Sequence, residues 1–237
     1  MNDNQLRDRV SKLAATIKRI QDVSSSHYRD IRNKFETTFR QELIGRIQKA
    51  KTQPNKNFFN GHLQEILKRM AIFWAFKNVA LFRHRQRDEN IYLISLFLSN
   101  NPKHLINKGH EGFKVSSKLQ WQYEQKHPLT WLDDPANPEE PHNKWLQIIR
   151  PLITMLKKDI FKLNTNECCF FVVVPYAGSI YCFAFGGRDQ KSISKLYHDS
   201  IGASKLCQEM ILTTCTELIY ELRDLLAHLS ELGKKEK

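Results

Sequence analysis

Five cysteines, Cys168, Cys169, Cys182, Cys207 and Cys215, are the residues best equipped for redox, nucleophilic or metal chemistry, and all fall in the last third of the 237-residue chain. Their spacing argues against each use. The number is odd, no C-x-x-C pair occurs, and the adjacent Cys168 and Cys169 would point to opposite faces of a strand. Most sit in apolar runs, where a thiol behaves as a small hydrophobe. Buried structural thiols and no metal site are therefore expected. Two carboxylate pairs, Asp133-Asp134 and Glu139-Glu140, could in principle divide acid and base roles. They belong to a proline-rich stretch, Asp133 to Pro141, that reads as a solvated loop. His110, His127 and His142 have irregular spacing and read as surface or hydrogen-bonded residues. The sequence holds no glycine-rich phosphate loop, H-E-x-x-H, G-x-S-x-G or EF-hand pattern. An enzyme is not the leading reading, and no cofactor is indicated.

Charge is unevenly placed. The chain carries 37 Lys and Arg against 25 Asp and Glu, a net +12. Residues 1–110 contain 21 basic and 9 acidic side chains, and residues 111–237 contain 16 of each, so the excess lies wholly in the first part. Such a distribution suits an anionic partner or a solvated helical face. As phosphate contacts the candidates are Arg7, Arg9, Lys12, Lys18, Arg19, Arg29, Arg32 and Lys34, extended by Arg83, Arg85 and Arg87. Binding of that kind weakens steeply with salt because each neutralised phosphate releases counterions.

The elements that must carry these residues follow from periodicity. Leu6, Val10, Leu13, Ile17 and Ile20 mark one helical seam, and Tyr28, Ile31, Phe35, Phe39, Leu43 and Ile47 mark a second. A third helix starts near His62, with Leu63, Ile66, Leu67, Met70 and Phe73 on its apolar side. Two strand pairs follow: 78–84 with 91–99, then 170–176 with 179–185 around a tight Ala177-Gly178 turn and ended by Gly186-Gly187. A helical segment from Trp145 to Leu156 lies between the pairs. Ile211, Cys215, Leu218, Leu222, Leu225, Leu229 and Leu232 then repeat at intervals of 4 and 3, a seam for packing against another helix. A homodimer through residues 206–232 is expected from it, an intramolecular bundle being the other use of the same seam.

Apolar runs stop far short of the roughly 20 residues needed to span a bilayer. Met1-Asn2-Asp3-Asn4-Gln5 lacks a signal-peptide pattern, so a cytoplasmic location is expected.

The order helix, strand pair, helical crossover, strand pair, long helix resembles a GAF domain, the sensory relative of PAS, over residues 62–232. The segment from Val174 through Pro175, Gly178 and Cys182 to Phe185 carries the resemblance most clearly. Gly112 to Asp134 is similar to the stretch with which such domains cover their pocket. The resemblance implies an α+β fold with an antiparallel sheet covered by helices. It divides the chain into a basic helical extension (1–60), a sensory core (61–203), and a terminal dimerisation helix with a charged tail (204–237). It implies a small-molecule pocket between sheet and crossover, lined by Trp121, Tyr123, Trp131, Tyr181 and Phe183, with Trp145 nearby. Aromatic residues beside Arg or His suit a planar or anionic ligand. The family's methionine-sulfoxide reductases work through pocket cysteines, which residues 75–135 lack.

A second resemblance is narrower. Arg223 and His228 match the R-x4-H pattern of HEPN ribonucleases, which implies Arg223 on the scissile phosphate and His228 in proton transfer. HEPN folds are all helical, whereas a strand pair precedes this helix. The two side chains also lie about 140° apart around it.

Overall fold

In a computed structural model, the described residues are 29–30, 33–52, 56–85, 90–99, 112–114, 126–135, 140–141, 143–189 and 208–223. Helix α1 (Arg40–Thr52) follows one wide turn, Phe35–Phe39, and is succeeded by α2 (Lys56–Phe73). Strands β1 (Asn78–Arg85), β2 (Asn90–Leu98), β3 (Gly112–Lys114) and β4 (Leu129–Asp133) come next. Two short helices, α3 (Lys144–Ile148) and α4 (Arg150–Met155), the latter running into a wide turn at Leu156–Ile160, lead to β5 (Glu167–Tyr176) and β6 (Ser179–Asp189). Residues 208–223 form the last described helix, α5.

The six strands make one antiparallel sheet in the order β3-β2-β1-β6-β5-β4. The result is a mixed helix-and-strand fold with a single antiparallel sheet. The two expected strand pairs are its centre, and β3 and β4 are its edges. Leu129–Asp133, expected within the pocket cover, is instead strand β4, paired residue for residue with Cys169–Val173. A five-residue strand is too short to declare itself by period, and its pairing partner decides it.

Helices cover the sheet on both faces. On the terminal-helix face, Phe39 of the wide turn, Leu43 and Ile47 of α1, Leu63, Ile66, Leu67 and Met70 of α2, and Ile211, Cys215, Leu218 and Leu222 of α5 join Val79, Leu81, Phe170, Val172, Val174, Phe183 and Phe185. On the crossover face, Trp145, Leu146, Ile149, Leu152, Ile153 and Leu156 meet Ala80, Phe82, Cys169, Phe171, Val173, Cys182 and Ala184. Burial on both sides explains why β5 reads as a continuous apolar run rather than an alternation. Helix α2 runs through position 60, and α1 shares the core of the sheet.

Special backbone geometry fixes the frame at three points. Ala75, at φ 56°, ends α2: Phe76 N–H donates to Ala71 O (2.8 Å) and Ala75 N–H to Ile72 O (3.2 Å), the paired bonds of a Schellman cap. Ala177 (φ 46°) and Gly178 (φ 70°) give the type I′ turn whose twist suits the β5–β6 hairpin. Gly186-Gly187 does not end the strand. β6 runs on to Asp189, and Gly187 (φ 86°) is the extra residue of a bulge where the register steps from Cys168↔Arg188 to Cys169↔Gly186. A Cβ at Gly186 would come within 2.4 Å of the Phe161 ring, so glycine lets that ring lie on the sheet.

A second bulge lies in β2. Leu81 pairs with Ser95 and Phe82 with Leu93, which leaves Ile94 as the inserted residue. The alternation shifts there, so that Ile91 and Leu93 share the crossover face with Leu96 and Leu98.

Candidate ligand face beneath the crossover

The resemblance implies a pocket between the sheet and the crossover, and the crossover face has a distinctive composition. At the centre of the sheet it presents Ala80 directly opposite Ala184, and Cys182 opposite Phe82. Short side chains there leave the covering segment to fill the space, which α4, its following turn and Phe161 do with Ile153, Leu156 and the Phe161 ring. Asn143 caps α3, its Oδ1 accepting from Trp145 N–H (2.9 Å) and Leu146 N–H (3.4 Å). That cap sets the entry of Trp145 toward β1.

At the β1 end of this face, the buried Trp145 indole donates Nε1–H to Nδ1 of the buried His84 at 3.3 Å. The bond requires His84 Nδ1 to be the unprotonated acceptor. Toward the opposite edge, Trp131 stacks on its register partner Phe171, with ring centroids 5.3 Å apart and planes at 25°. Trp131 is half-buried. The face therefore offers an aromatic platform at one margin and a hydrogen-bonded imidazole–indole pair at the other.

The carboxylates at the end of β4 are structural. Asp133 forms an ion pair with Lys157, fastening the sheet edge to the turn after α4. Asp134, expected to be solvated, is only 5% exposed and accepts the Cys168 Sγ–H at 3.6 Å. Glu140 pairs with Arg150 on the surface. The continuous strand β5 pulls this acidic segment inward because Asp133 pairs with Cys169, a buried position.

The thiols Cys168, Cys169, Cys182 and Cys215 are free and buried, as expected, and Cys207 lies outside the described residues. Burial, reinforced by Asp134, pushes the Cys168 thiol up to about 12. Burial also raises Cys169, Cys182 and Cys215 well above the ordinary range. None of the four is a thiolate at neutral pH, which denies them nucleophilic chemistry. No group of three or more His, Cys, Asp or Glu among the described residues could hold a metal ion.

The five pocket residues inferred from the sequence are not all brought together. Trp131 is on the crossover face. Tyr181 and Phe183 are on the other face, in the core with α1, α2 and α5. Alternation along β6 explains the division: Ile180, Cys182 and Ala184 point to the crossover, and Tyr181, Phe183 and Phe185 point away. Trp121 and Tyr123 lie outside the described residues. His84 was missed by sequence reasoning. Its signal was a histidine that the two-residue period places on the same face of the strand as Ala80 and Phe82.

Other expected residues sit elsewhere. Arg83 Nε–H donates to Ser179 Oγ (3.3 Å), and its guanidinium lies 5.9 Å from the centre of the Tyr181 ring. Arg85 follows on the same strand, while Arg87, Arg7, Arg9, Lys12, Lys18 and Arg19 lie outside the described residues. Arg223 Nη1–H donates to Tyr176 Oη at 2.9 Å. Its expected companion His228 is outside the described residues. The six-stranded sheet is foreign to the all-helical HEPN fold.

Over residues 208–223 the leucine seam is used within the chain. Ile211, Cys215, Leu218 and Leu222 are at most 2% exposed, packed on the sheet and α2. Leu225, Leu229 and Leu232 lie outside the described residues. No helix among the described residues is long and apolar enough to cross a membrane.

No family model matches the chain, and no curated protein matches it. Among solved structures, the chain is similar to an inactive-state crystal structure of the A. aeolicus nlh2 GAF domain, at 15% identity over 72% of this chain and 93% of that one, with a TM-score of 0.35.

Proposed function

We propose that this chain is a GAF-like sensory or regulatory domain that binds a small molecule beneath the crossover and passes the event to its terminal helices. The observation that carries the reading is the asymmetry of the sheet. Its centre is lined by Ala80, Cys182 and Ala184 on the crossover side, under short helices and flanked by Trp131 and the His84–Trp145 pair. Small side chains between aromatic and polar margins are the composition of a face that can exchange packing for a planar ligand. The opposite face carries α5 on the same strands, so a shift of β6 reaches the helix without an intermediary.

Signalling then requires the ligand to favour one arrangement of sheet and helix over another. Homodimerisation belongs to the same reading, through residues 206–232. Leu225, Leu229 and Leu232 continue the seam past the described residues, and they are the proposed contact.

Native mass spectrometry of the purified chain tests both elements. A dimer with a stoichiometric extra mass is expected, with that mass lost in Trp131→Ala and the dimer lost when Leu225, Leu229 and Leu232 become Lys. An empty monomer that stays empty in cell extract would sink the reading.

A further inference from the structure

The β4 margin of the crossover face combines an aromatic platform with a pair of opposite charges. β4 is an edge strand, and all five of its residues are partly exposed, whereas its partner β5 is buried from Glu167 to Val174. The period of two sets Leu129, Trp131 and Asp133 on the crossover side. Phe171 stacks on one face of the Trp131 indole, which stays half-buried and leaves its second face for another ring.

Two residues beyond Trp131, about 7 Å along the strand, Asp133 meets the Lys157 ammonium. The Lys157 and Asp133 side chains are 27% and 22% exposed, so the pair is neither sealed off nor fully hydrated. Their mutual bond uses only part of the donors of the ammonium and part of the acceptors of the carboxylate. Among the described residues no other hydrogen bond reaches either charged group, and both keep capacity for a ligand.

A ligand with a single charge would take one partner and leave the other uncompensated in a half-buried site. A zwitterion compensates both, its carboxylate accepting from Lys157 and its ammonium donating to Asp133. We infer that this margin binds a free aromatic amino acid, its ring on the face of Trp131 opposite Phe171. A ring, one methylene and a charge-assisted hydrogen bond cover the span from indole to ion pair. The ligand then bridges the β4 edge and the turn after α4, which Asp133 and Lys157 join directly without it. A residue within a peptide lacks both charges and does not fit. The inference rests on the small-molecule reading and names the class of ligand.

The test is isothermal titration calorimetry of the purified full chain with L-phenylalanine, for which saturable, stoichiometric binding is expected. Phenylacetate lacks the ammonium, phenethylamine the carboxylate and L-alanine the ring. Each should bind at least about ten-fold more weakly. Trp131→Phe should keep binding within about three-fold, and Trp131→Ala should weaken it at least about ten-fold. Lys157→Met should erase the advantage of phenylalanine over phenethylamine, and Asp133→Asn its advantage over phenylacetate, which loss of packing alone would not do. Circular dichroism melting confirms that each variant folds. The comparison of analogues on the parent chain decides the matter if one does not.

No binding of L-phenylalanine, L-tyrosine or L-tryptophan up to about 10 mM would overturn the inference. So would phenylacetate or phenethylamine binding the parent chain as tightly as phenylalanine, or Trp131→Ala binding unchanged. A stoichiometric bound mass other than an amino acid in native mass spectrometry would overturn it and leave the small-molecule reading standing. An empty chain would overturn both.

Discussion

The two faces of one sheet use the same strands for different ends. Toward α1, α2 and α5 the central strands offer Phe183, Phe185, Leu81, Phe170 and Val172, large side chains that interlock with three helices. Toward α3 and α4 the neighbouring positions are Ala80, Cys182, Ala184 and Cys169, and the cover is two helices of five and six residues. A helix that short gains little from its own backbone, so its place depends on the sheet beneath it. The comparison teaches that the period of two in β6 divides large side chains that interlock with long helices from small ones whose space the short covering helices fill.

The sharpest way to break this comparison is to truncate adjacent residues. Phe183→Ala should cost about 3–5 kcal/mol, the usual range for a buried phenylalanine that leaves a cavity. Cys182→Ala removes one sulfur from the opposite face and should cost about 1 kcal/mol. Denaturant midpoints at constant m-value measure both. Equal losses would mean that the faces are equally committed to the fold.

Alkaline titration sharpens the comparison through the thiols. Cys169 and Cys182 lie on the crossover face and Cys215 on the other, and burial raises all three in the folded chain. An unfolded thiol ionises near 8.5. Above that pH the unfolded chain binds fewer protons than the folded one, so stability falls as pH rises. Each thiol's stabilising contribution should be present in full below about pH 8.5 and fall by up to about 1.4 kcal/mol per pH unit above it. Urea melts at pH 8, 9 and 10 should show the decline. Of the slope from the four buried thiols, Cys169→Ala with Cys182→Ala should remove about half and Cys215→Ala about one-quarter, Cys168 supplying the rest.

A smaller effect probes the polar margin of the crossover face. Trp145→Phe keeps most of the ring but removes the N–H that Nδ1 of His84 accepts. Losing the bond to a buried acceptor should cost about 1–3 kcal/mol, with the smaller ring adding a packing loss. Repeating the substitution in a His84→Phe background tests the bond itself: the second cost should shrink if the pair acts as a unit.

Much of this frame was legible in the residues. Leu63, Ile66, Leu67 and Met70 announced the buried side of α2, and the Ala177-Gly178 turn fixed the β5–β6 register. Strand β4 escaped because five residues with an aromatic and a threonine carry too little pattern without their partner. The candidate ligand face was legible only in part: Trp131 could be placed near the crossover, but Tyr181 and Phe183 could be assigned to a face only once the register of β6 was known. Asp134 looked solvated beside proline, and its burial depends on Cys168, 34 residues later. What the sequence withheld was therefore mostly long-range: which face each odd or even position meets.

The hairpin turn tests that conclusion from the smallest perturbation, because it sets the register for both faces at once. Ala177 sits at φ 46°, where a Cβ is unfavourable and where asparagine is better tolerated. Ala177→Asn creates the Asn-Gly pair preferred in type I′ turns and should stabilise the chain by about 0.5 kcal/mol. Because β5 and β6 serve both layers, amide exchange should slow equally at Phe183 and Cys182 if the hairpin opens with the whole fold. Slowing confined to the terminal-helix layer would mean that the crossover cover opens on its own, which would make the small-residue face the mobile one and favour the proposal that a ligand binds there.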